Sequence, residues 1–252
     1  MNIDLFATPN MSEKYILGHV VIVIDVLRAT STIVTAFENG CRSVIPVTEV
    51  EEAVQMARLL GNKRMLLCGE RDALLIPGFN LSNSPLEYSS AVVGGKTLIM
   101  STTNGTRALN LVKAGDVVLL GSMLNAKAVA KRAVMAKKPI TIVCAGTKDR
   151  YSLDDVLTAG CIIDRITQMG RDIALCDLGR SALAMYDMCK EDIQAALSGS
   201  THFGVLKHLG LKADLDFCLR EDAMTAVPCY ADGVIRVTPN VSHSEYRWVG
   251  AY

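Results

Sequence analysis

The sequence has no excess of either charge, because its 26 Lys and Arg residues equal its 26 Asp and Glu residues. Proteins that bind nucleic acids or anionic membranes broadly carry a basic excess, so we expect neither partner. No apolar run approaches the roughly 20 residues that cross a bilayer, and the first residues lack the basic and apolar stretches of a signal peptide. We therefore expect a cytoplasmic protein whose anion site is a local cluster of cations.

Motifs typical of several other protein classes are also missing. The eight Cys residues include no C-x-x-C pair, which disfavours a zinc site or a disulfide framework. We expect most of them to be reduced core residues, since free Cys behaves as a small buried hydrophobic residue. The sequence has no GxxxxGK[ST] motif and no G-x-G-x-x-G after a strand, which argues against a P-loop nucleotide hydrolase and a dinucleotide-binding protein.

What the sequence does contain is a repeated order of strand, loop and helix. The buried β-branched run Val20–Ile24 predicts a strand of a parallel sheet. One passage predicts a helix over 30–39, a strand over 44–47, a helix from 50 to 60 and a strand over 65–68. A second predicts strands over 97–100, 117–120 and 140–144, with a short helix opening at Thr106 and a longer one over 125–137. Each passage has an Arg-Ala pair entering its first helix, at Arg28 and Arg107, which indicates either a diverged internal duplication or the ordinary order of an α/β protein.

After residue 150 the pattern is mostly helical. It predicts a helix beginning near Leu153, another over 181–197, short helices between 203 and 222, and a last strand over 234–237. The fold class is therefore α/β, layered α/β/α with a largely parallel sheet or sheets and a helical C-terminal part. We expect a single catalytic unit over 1–238, which could consist of two tightly joined lobes at about 1–95 and 96–238, followed by a tail over 239–252.

Functional side chains follow the predicted strands, and ligands of open α/β sheets bind beyond the carboxyl ends of strands. Asp25 ends the first strand, Arg28 follows, and Thr30 and Ser31 open a helix. A helix N-terminus binds phosphate through its free N–H groups, and a carboxylate suits Mg²⁺. Alternatively, the hydroxyls only cap the helix and Asp25 pairs with Arg28.

Three further segments carry candidate groups. Glu70 and Arg71 end a strand, and the long loop after them contains Asn83 and Ser84; long loops are often functional. The acids Asp154 and Asp155 either cap a helix together with Ser152 or bind metal and transfer protons. The remaining segment enters a helix with hydroxyls, a glycine and an arginine, at Thr102, Thr103, Asn104, Gly105, Thr106 and Arg107.

A phosphatase needs positive charge around the phosphoryl oxygens and an in-line nucleophile. Haloacid-dehalogenase-type enzymes have a second Asp two residues after the first, where this chain has Leu27, so that class is disfavoured. The sequence contains no Arg-His-Gly triplet, which argues against a phosphohistidine mechanism. Cys144 and Arg150 match the C-x5-R loop of cysteine-dependent phosphatases, but Val143 stands where His is usual. Metal-assisted attack remains, either through an aspartyl phosphate or by water.

The segment 23–33 strongly resembles the signature of the 2-phosphosulfolactate phosphatase family. The resemblance extends from about residue 3 to 237. It also includes Gly69-Glu70-Arg71, Pro77-Gly78-Phe79 with Asn83-Ser84-Pro85, Thr102–Arg107, Cys144-Ala145-Gly146, Leu209-Gly210, Asp214 and Val227-Pro228. It implies a Mg²⁺-dependent hydrolase that converts (2R)-phosphosulfolactate to sulfolactate and phosphate in coenzyme M biosynthesis. One departure is Asp154-Asp155, where the family commonly has Glu-Asp.

Together, the residues and the resemblance predict an enzyme for a small anionic phosphate ester, which could form a homodimer. The alternatives are a non-catalytic binder of a phosphorylated metabolite and a cysteine-dependent phosphatase. We assign catalysis to Asp25, Arg28 and Glu70, and Mg²⁺ ligation to Asp25, Glu70, Asp154 and Asp155. Substrate contacts are predicted for Thr30, Ser31, Arg71, Asn83, Ser84, Thr102, Thr103, Asn104, Gly105, Thr106 and Arg107.

Overall fold

The computed structural model describes residues 1–60, 64–170 and 172–237, and the predicted tail over 239–252 lies outside them. The described residues form one sheet of eleven strands. The strands are β1 (Asn2–Phe6), β2 (Val20–Ile24), β3 (Ser43–Pro46), β4 (Met65–Arg71), β5 (Leu74–Leu75), β6 (Thr97–Ser101), β7 (Val117–Gly121), β8 (Ile140–Cys144), β9 (Ala174–Leu175), β10 (Cys229–Ala231) and β11 (Val234–Arg236). The helices are α1 (Ala29–Glu38), α2 (Val50–Leu60), α3 (Ser90–Val93), α4 (Gly105–Leu111), α5 (Ala126–Met135), α6 (Leu153–Thr167), α7 (Asp177–Cys189), α8 (Ile193–Leu197), α9 (Thr201–His208) and α10 (Lys212–Cys218).

The sheet consists of two parallel groups joined by a hairpin. Its strand order is β5-β4-β6-β3-β11-β10-β7-β2-β8-β1-β9. Strands β4, β6 and β3 run parallel to one another, as do β7, β2, β8, β1 and β9. Between the groups, β10 and β11 are antiparallel to each other and to the strands beside them, β7 and β3. The predicted layered α/β fold is confirmed, but its two groups run in opposite directions.

The two groups exchange their first strands. Strand β2 precedes β3 and β4 in the chain, yet it pairs with β7 and β8. Conversely, β6 precedes β7 and β8 but pairs with β3 and β4. Equivalent strands of the two sequence passages therefore occupy equivalent places, as a duplicated unit would. Strands from before and after residue 95 are interleaved in this one sheet. The division into two lobes at about 1–95 and 96–238 stays a prediction.

Helices α1 and α4 share one core with both groups of strands. Val21 and Val23 of β2 pack in the same cluster as Ile33 of α1, Leu109 of α4 and Leu98 of β6. Alternate residues of β2 face the other way, into a cluster with α5 and α6. Every residue of β2 is thus buried, which explains its continuous apolar run, since a strand covered on both faces needs no polar side.

The main errors of the sequence prediction concern the C-terminal part and the ends of the sheet. The single helix predicted over 181–197 is wrong, because α7 ends at Cys189 and α8 begins at Ile193. Asp192 makes the break, since its carboxylate accepts a hydrogen bond from the N–H of Ala195 and caps α8. Strands β1, β5, β9 and β10 were not predicted; β5 and β9 have only two residues each.

Two expectations from composition can be compared with the structure. All eight Cys residues are free and five of them are buried, which confirms that most are reduced core residues. Within the described ranges, no helix combines the length and apolarity that crossing a bilayer requires.

Candidate functional site

A cavity of about 220 Å³ lies where β2 and β4 end and α9 begins. Three of the predicted catalytic side chains, those of Asp25, Arg28 and Glu70, line it together. The other lining residues are Leu27, Asp72, Ala73, Asn83, Thr103, Asn104, Thr147, Lys148, Thr201, His202, Val205 and Leu206. The cavity therefore brings together groups from both parallel groups of strands and from the helical C-terminal part.

A glycine allows the ends of the two strand groups to meet. A Cβ on Gly105 would lie 2.8 Å from Cβ of Ala29 and 2.9 Å from Oδ2 of Asp25. Helix α4 can therefore begin against the start of α1 only because residue 105 has no side chain. Gly105 was predicted to contact the substrate; in the structure its neighbours are Asp25 and Ala29. Any larger residue would displace Asp25 or separate the two helices.

The carboxylate of Asp25 is buried and accepts few hydrogen bonds that would stabilise its negative charge. Its main-chain carbonyl accepts from the N–H of Thr30 at 2.8 Å, which turns the chain into α1. Its Oδ1 accepts only a long hydrogen bond, 3.4 Å, from the N–H of Ala29. Burial raises the pKa of Asp25 to about 6, although the charge of His202 and the Ala29 N–H group lower it. The site therefore favours a proton or a cation beside this carboxylate.

Arg28 is 2 % exposed and does not pair with Asp25, so that alternative is wrong. Its Nη1 donates to Oδ2 of Asp214 at 2.5 Å, and its Nη2 donates to the carbonyl of Ala73 at 2.7 Å. Oδ1 of Asp214 accepts from the hydroxyl of Ser84 at 2.7 Å. The guanidinium group is thus held from two sides while its side chain lines the cavity.

Glu70 joins the loops that follow β4 and β6. Its Oε2 accepts from the N–H of Ala73 at 2.8 Å, and its Oε1 accepts from the N–H of Thr103 at 2.8 Å. Asp72 and Ala73 have positive φ angles, 51° and 66°, so the carboxylate closes a tight turn whose backbone conformation is unfavourable for residues with side chains. The same turn presents the Ala73 carbonyl to Arg28.

The other predicted arginines do not line the cavity. The guanidinium of Arg71 donates to the carbonyl of Thr48 at 2.8 Å and to the hydroxyl of Ser101 at 3.0 Å. The side chain of Arg107 is 56 % exposed and pairs with Asp149 at 2.8 Å. Among the Arg and Lys residues that the structure describes, Arg28 and Lys148 line the cavity.

The hydroxyls at the two helix starts have partners within the chain. Thr30 donates to the carbonyl of Asp25 at 2.9 Å and Ser31 to that of Val26 at 2.8 Å. In α4, Thr106 donates to the carbonyl of Thr102 at 2.8 Å. These side chains fix the turns that place Asp25 and Thr103, rather than pointing free donors at a ligand.

Asp154 and Asp155 lie at the start of α6, but the predicted cap is wrong because the side chain of Ser152 makes no capping hydrogen bond. Instead, the Ser152 hydroxyl donates to Asp154. Asp155 accepts from the N–H groups of Val26 at 2.9 Å and Gly146 at 3.0 Å, which ties the ends of β2 and β8 together. Burial, followed by the neighbouring charges of Asp154 and Asp25, raises the pKa of Asp155 well above its usual range.

Two observations bear on what the site could hold. Within the residues described, no group of three or more His, Cys, Asp or Glu side chains is close enough to hold a metal ion. Around the cavity, however, the buried Oδ1 of Asn83 has no hydrogen-bond partner. A buried polar atom without a partner is costly unless a ligand or water satisfies it, so a ligand or water in the cavity could satisfy this atom.

The structure also places residues here that sequence reasoning left without a role. His202 of α9 lies with Nε2 2.7 Å from the carbonyl oxygen of Leu27, and Asp214 of α10 holds Arg28. The sequence predicted short helices in this region but carried no pattern that linked them to β2. Only the fold brings residues so distant in the chain to the same cavity.

The cysteine-dependent alternative loses support. The side chain of Cys144 is completely buried within an apolar cluster, and Arg150 is exposed. Burial, with Asp155 and Asp154 nearby, raises the pKa of the Cys144 thiol well above its usual range. A nucleophilic Cys needs the opposite environment, exposed and electropositive.

The family model and the similar proteins that match this chain all point to the same family. A model of 2-phosphosulpholactate phosphatase matches residues 6–233. A Clostridium beijerinckii protein is 40% identical over 238 residues, 93% of this chain and 99% of its own length. A Clostridium tetani protein is 40% identical over 237 residues, covering 94% and 100%, and one from Caldanaerobacter subterraneus is 43% identical over 218 residues, covering 86% and 90%. Each of the three is described as a probable 2-phosphosulfolactate phosphatase.

Proposed function

The chain belongs to the 2-phosphosulpholactate phosphatase family, and we propose that it hydrolyses 2-phosphosulfolactate in the cavity at Asp25, with Mg²⁺ as cofactor. The observation that carries the location is the convergence of Asp25, Arg28 and Glu70 on one cavity. The phosphoryl group would lie beside Asp25 and Arg28, and the rest of the substrate would extend toward Lys148 and His202.

The size of the cavity supports a small substrate. Its volume of about 220 Å³ is below the range of roughly 300–1,000 Å³ that holds drug-sized ligands. A three-carbon acid with one phosphate and one sulfonate is correspondingly small. The unpartnered amide oxygen of Asn83 would accept a hydrogen bond from a bound water or from a hydroxyl group of the product.

The charge of the cavity supports a divalent cation. The substrate carries a phosphate, a sulfonate and a carboxylate, whereas the cavity wall carries the acids Asp25, Glu70 and Asp72 against the cations Arg28 and Lys148. An anionic wall would repel an anionic ester, so additional positive charge is required. This surplus of carboxylates also disfavours a pure anion receptor, which would gain nothing from them.

The donor set fits Mg²⁺ rather than a soft metal. Mg²⁺ takes one or two carboxylates and completes its octahedron with waters and substrate oxygens, so a cluster of three protein ligands is not needed. Asp25 is the first candidate because its carboxylate is buried and weakly hydrogen-bonded. Glu70 lines the same cavity and is the second candidate, whereas Asp154 and Asp155, also predicted as ligands, are not among the residues that line it. When bound, Mg²⁺ would offset the charge that develops on the phosphoryl oxygens.

The protein's own groups have distinct tasks in this reaction. Arg28 binds phosphoryl oxygens through the N–H groups that Asp214 and Ala73 leave available, a geometry for which guanidinium is suited. Asp25 either attacks phosphorus or orients the attacking water; both routes stay open. Glu70 holds the loops on either side of the phosphoryl group through its bonds to Ala73 and Thr103.

The test is phosphate release from 2-phosphosulfolactate by the purified protein, first treated with EDTA and then given Mg²⁺. We expect turnover only after Mg²⁺ is restored, with phospholactate, which lacks the sulfonate, as a weaker substrate. Turnover that survives EDTA but is lost in Cys144→Ser would instead establish the cysteine mechanism. Thermal stabilisation by the ester without any turnover would establish a non-catalytic binder.

The finer expectations about partners stay proposals. We infer a cytoplasmic location, which suits the eight free Cys residues, and we infer from the balanced charge that nucleic acid is not a partner. A homodimer is a further proposal, which the molar mass in solution, measured by light scattering, would decide.

A further inference from the structure

We propose that Asp214 is a positioning residue, which fixes the guanidinium group of Arg28 so that its remaining N–H groups face the phosphoryl group. The inference rests on the proposed function in assigning the phosphoryl group to Arg28. It gives the helical C-terminal part a task in the reaction, although that part supplies none of the predicted catalytic residues.

The contacts leave Asp214 no other function at the site. One oxygen accepts from Nη1 of Arg28 at 2.5 Å, and the other accepts from the hydroxyl of Ser84 at 2.7 Å. Asp214 is itself buried, 3 % exposed, and it is not among the residues that line the cavity. Its direct contact with the groups that line the cavity is therefore the one with Arg28.

The position of Arg28 is determined from both sides of the cavity. Nη2 is held by the carbonyl of Ala73, in the turn that Glu70 closes. Nη1 is held by Asp214 of α10, which Ser84 anchors in turn. An arginine side chain that is free to rotate loses rotamer entropy when it binds a ligand, and a ligand that finds it already ordered does not bear that cost.

The energetics of burial indicate why the partner is a carboxylate. A buried guanidinium without a partner is strongly unfavourable, and removal of one member of a buried pair destabilises a protein. A structural role alone would therefore lower stability. A positioning role would in addition weaken phosphate binding, and this second effect separates the two explanations.

The experiment measures inorganic phosphate binding in the presence of Mg²⁺ by calorimetry, alongside kcat, KM and the melting temperature. The variants are Asp214→Ala, which removes both hydrogen bonds, and Asp214→Asn, which keeps an acceptor for Arg28 and a donor for Ser84. Glu221→Gln is the matched control, because Glu221 pairs with Arg165 at 2.5 Å in a half-buried site that does not line the cavity.

We expect Asp214→Ala to weaken phosphate binding and raise KM by about tenfold, and Asp214→Asn to stay within about threefold of the natural protein, because orientation is retained. Glu221→Gln should lower the melting temperature without changing phosphate affinity. The proposal is overturned if Asp214→Ala loses stability but binds phosphate normally, or if Asp214→Asn is as defective as Asp214→Ala.

If Asp214→Ala does not fold, the Ser84→Ala variant tests the positioning role instead. It keeps the ion pair and removes only the second anchor of Asp214, so phosphate binding should weaken by about two- to threefold. Unchanged affinity would refute positioning. Because phosphate binding needs no turnover, failure of this inference is distinguishable from failure of the proposed function, which would appear as an inactive natural protein.

Discussion

Two arginines occupy equivalent places in the repeated sequence pattern, yet their surroundings are opposite. Arg28 follows β2, is 2 % exposed and lies in a buried ion pair with Asp214. Arg107 follows β6, and its side chain is 56 % exposed in a surface ion pair with Asp149. Each is followed by an Ala in the first turn of a helix, so local sequence makes them alike. The C-terminal helices cover only one of them, and this covering determines which arginine serves the cavity.

The largest expected effect contrasts the residues that directly follow the two strands. Asp25 follows β2, and Thr102 follows β6. Asp25→Ala should reduce kcat by at least about a thousandfold, because both open mechanisms need this carboxylate. Thr102→Ala should retain activity within about tenfold, since its hydroxyl accepts only a local hydrogen bond from Thr106. Steady-state phosphate release measures both, and near-normal activity of Asp25→Ala would refute its role.

The next contrast concerns the arginines themselves. Arg28→Ala should lower kcat/KM by about a hundredfold, the cost of losing a group that binds the developing charge. Arg107→Ala should change kcat/KM by less than about threefold, because the exposed side chain is surrounded by water. Equal losses in the two variants would mean that the structural difference between the sites has no functional meaning.

We also expect substitutions of these two arginines to differ in their effect on the free energy of unfolding. Arg28→Met should destabilise the fold by about 3–5 kcal/mol, because it leaves Asp214 buried without its partner. Arg107→Met should cost less than about 1 kcal/mol, as expected for an exposed ion pair. Urea unfolding followed by circular dichroism gives both values. Similar midpoints would show that Asp214 finds another partner when Arg28 is absent.

The stability of the folded protein should depend on pH through Asp25, which lines the same cavity as Arg28. In metal-free protein the pKa of Asp25 is raised from 3.8 to about 6 by burial. The folded state therefore holds this proton more tightly than the unfolded state, and stability is lost as pH rises from about 4 through about 6. Asp25→Asn lacks this loss, so above pH 6 it should exceed the natural protein by up to about 3 kcal/mol. Thermal unfolding in EDTA across this pH range tests it, and parallel curves for the two proteins would contradict it.

Much of the sheet could be predicted from the sequence because its signals are local. The strands over 20–24 and 140–144 match β2 and β8 as predicted, since continuous β-branched runs between turns admit few other structures. The boundary between α7 and α8 was missed because an apolar stripe continued across it, while the cap at Asp192 depends on a single side chain. A short capping signal is easily outweighed by a long periodic one.

The site was predictable in part for a related reason. Asp25 directly follows β2 and Glu70 lies at the end of β4, so both could be identified as strand-end candidates from the sequence. That strands of two groups running in opposite directions would bring them to one cavity could not be inferred. The partner of Arg28 could not, because Asp214 lies far along the chain and no local pattern links them. Likewise, Thr30 and Ser31 were predicted to contact substrate, but their hydroxyls donate to backbone carbonyls. Whether a hydroxyl closes a turn or meets a ligand depends on angles that the sequence does not specify.

The exchanged strands have a consequence for how the chain must acquire its structure during synthesis. Val20 of β2 lies beside Val117 of β7 and Ile140 of β8, so β2 leaves the ribosome long before either neighbour has been translated. Its apolar run must wait, exposed or shielded by a chaperone, until the chain has reached β8. Pairings so remote in sequence close slowly and leave strand edges open to aggregation meanwhile. The exchanged strands thus leave β2 without its neighbours in the sheet until the chain has been translated past Cys144.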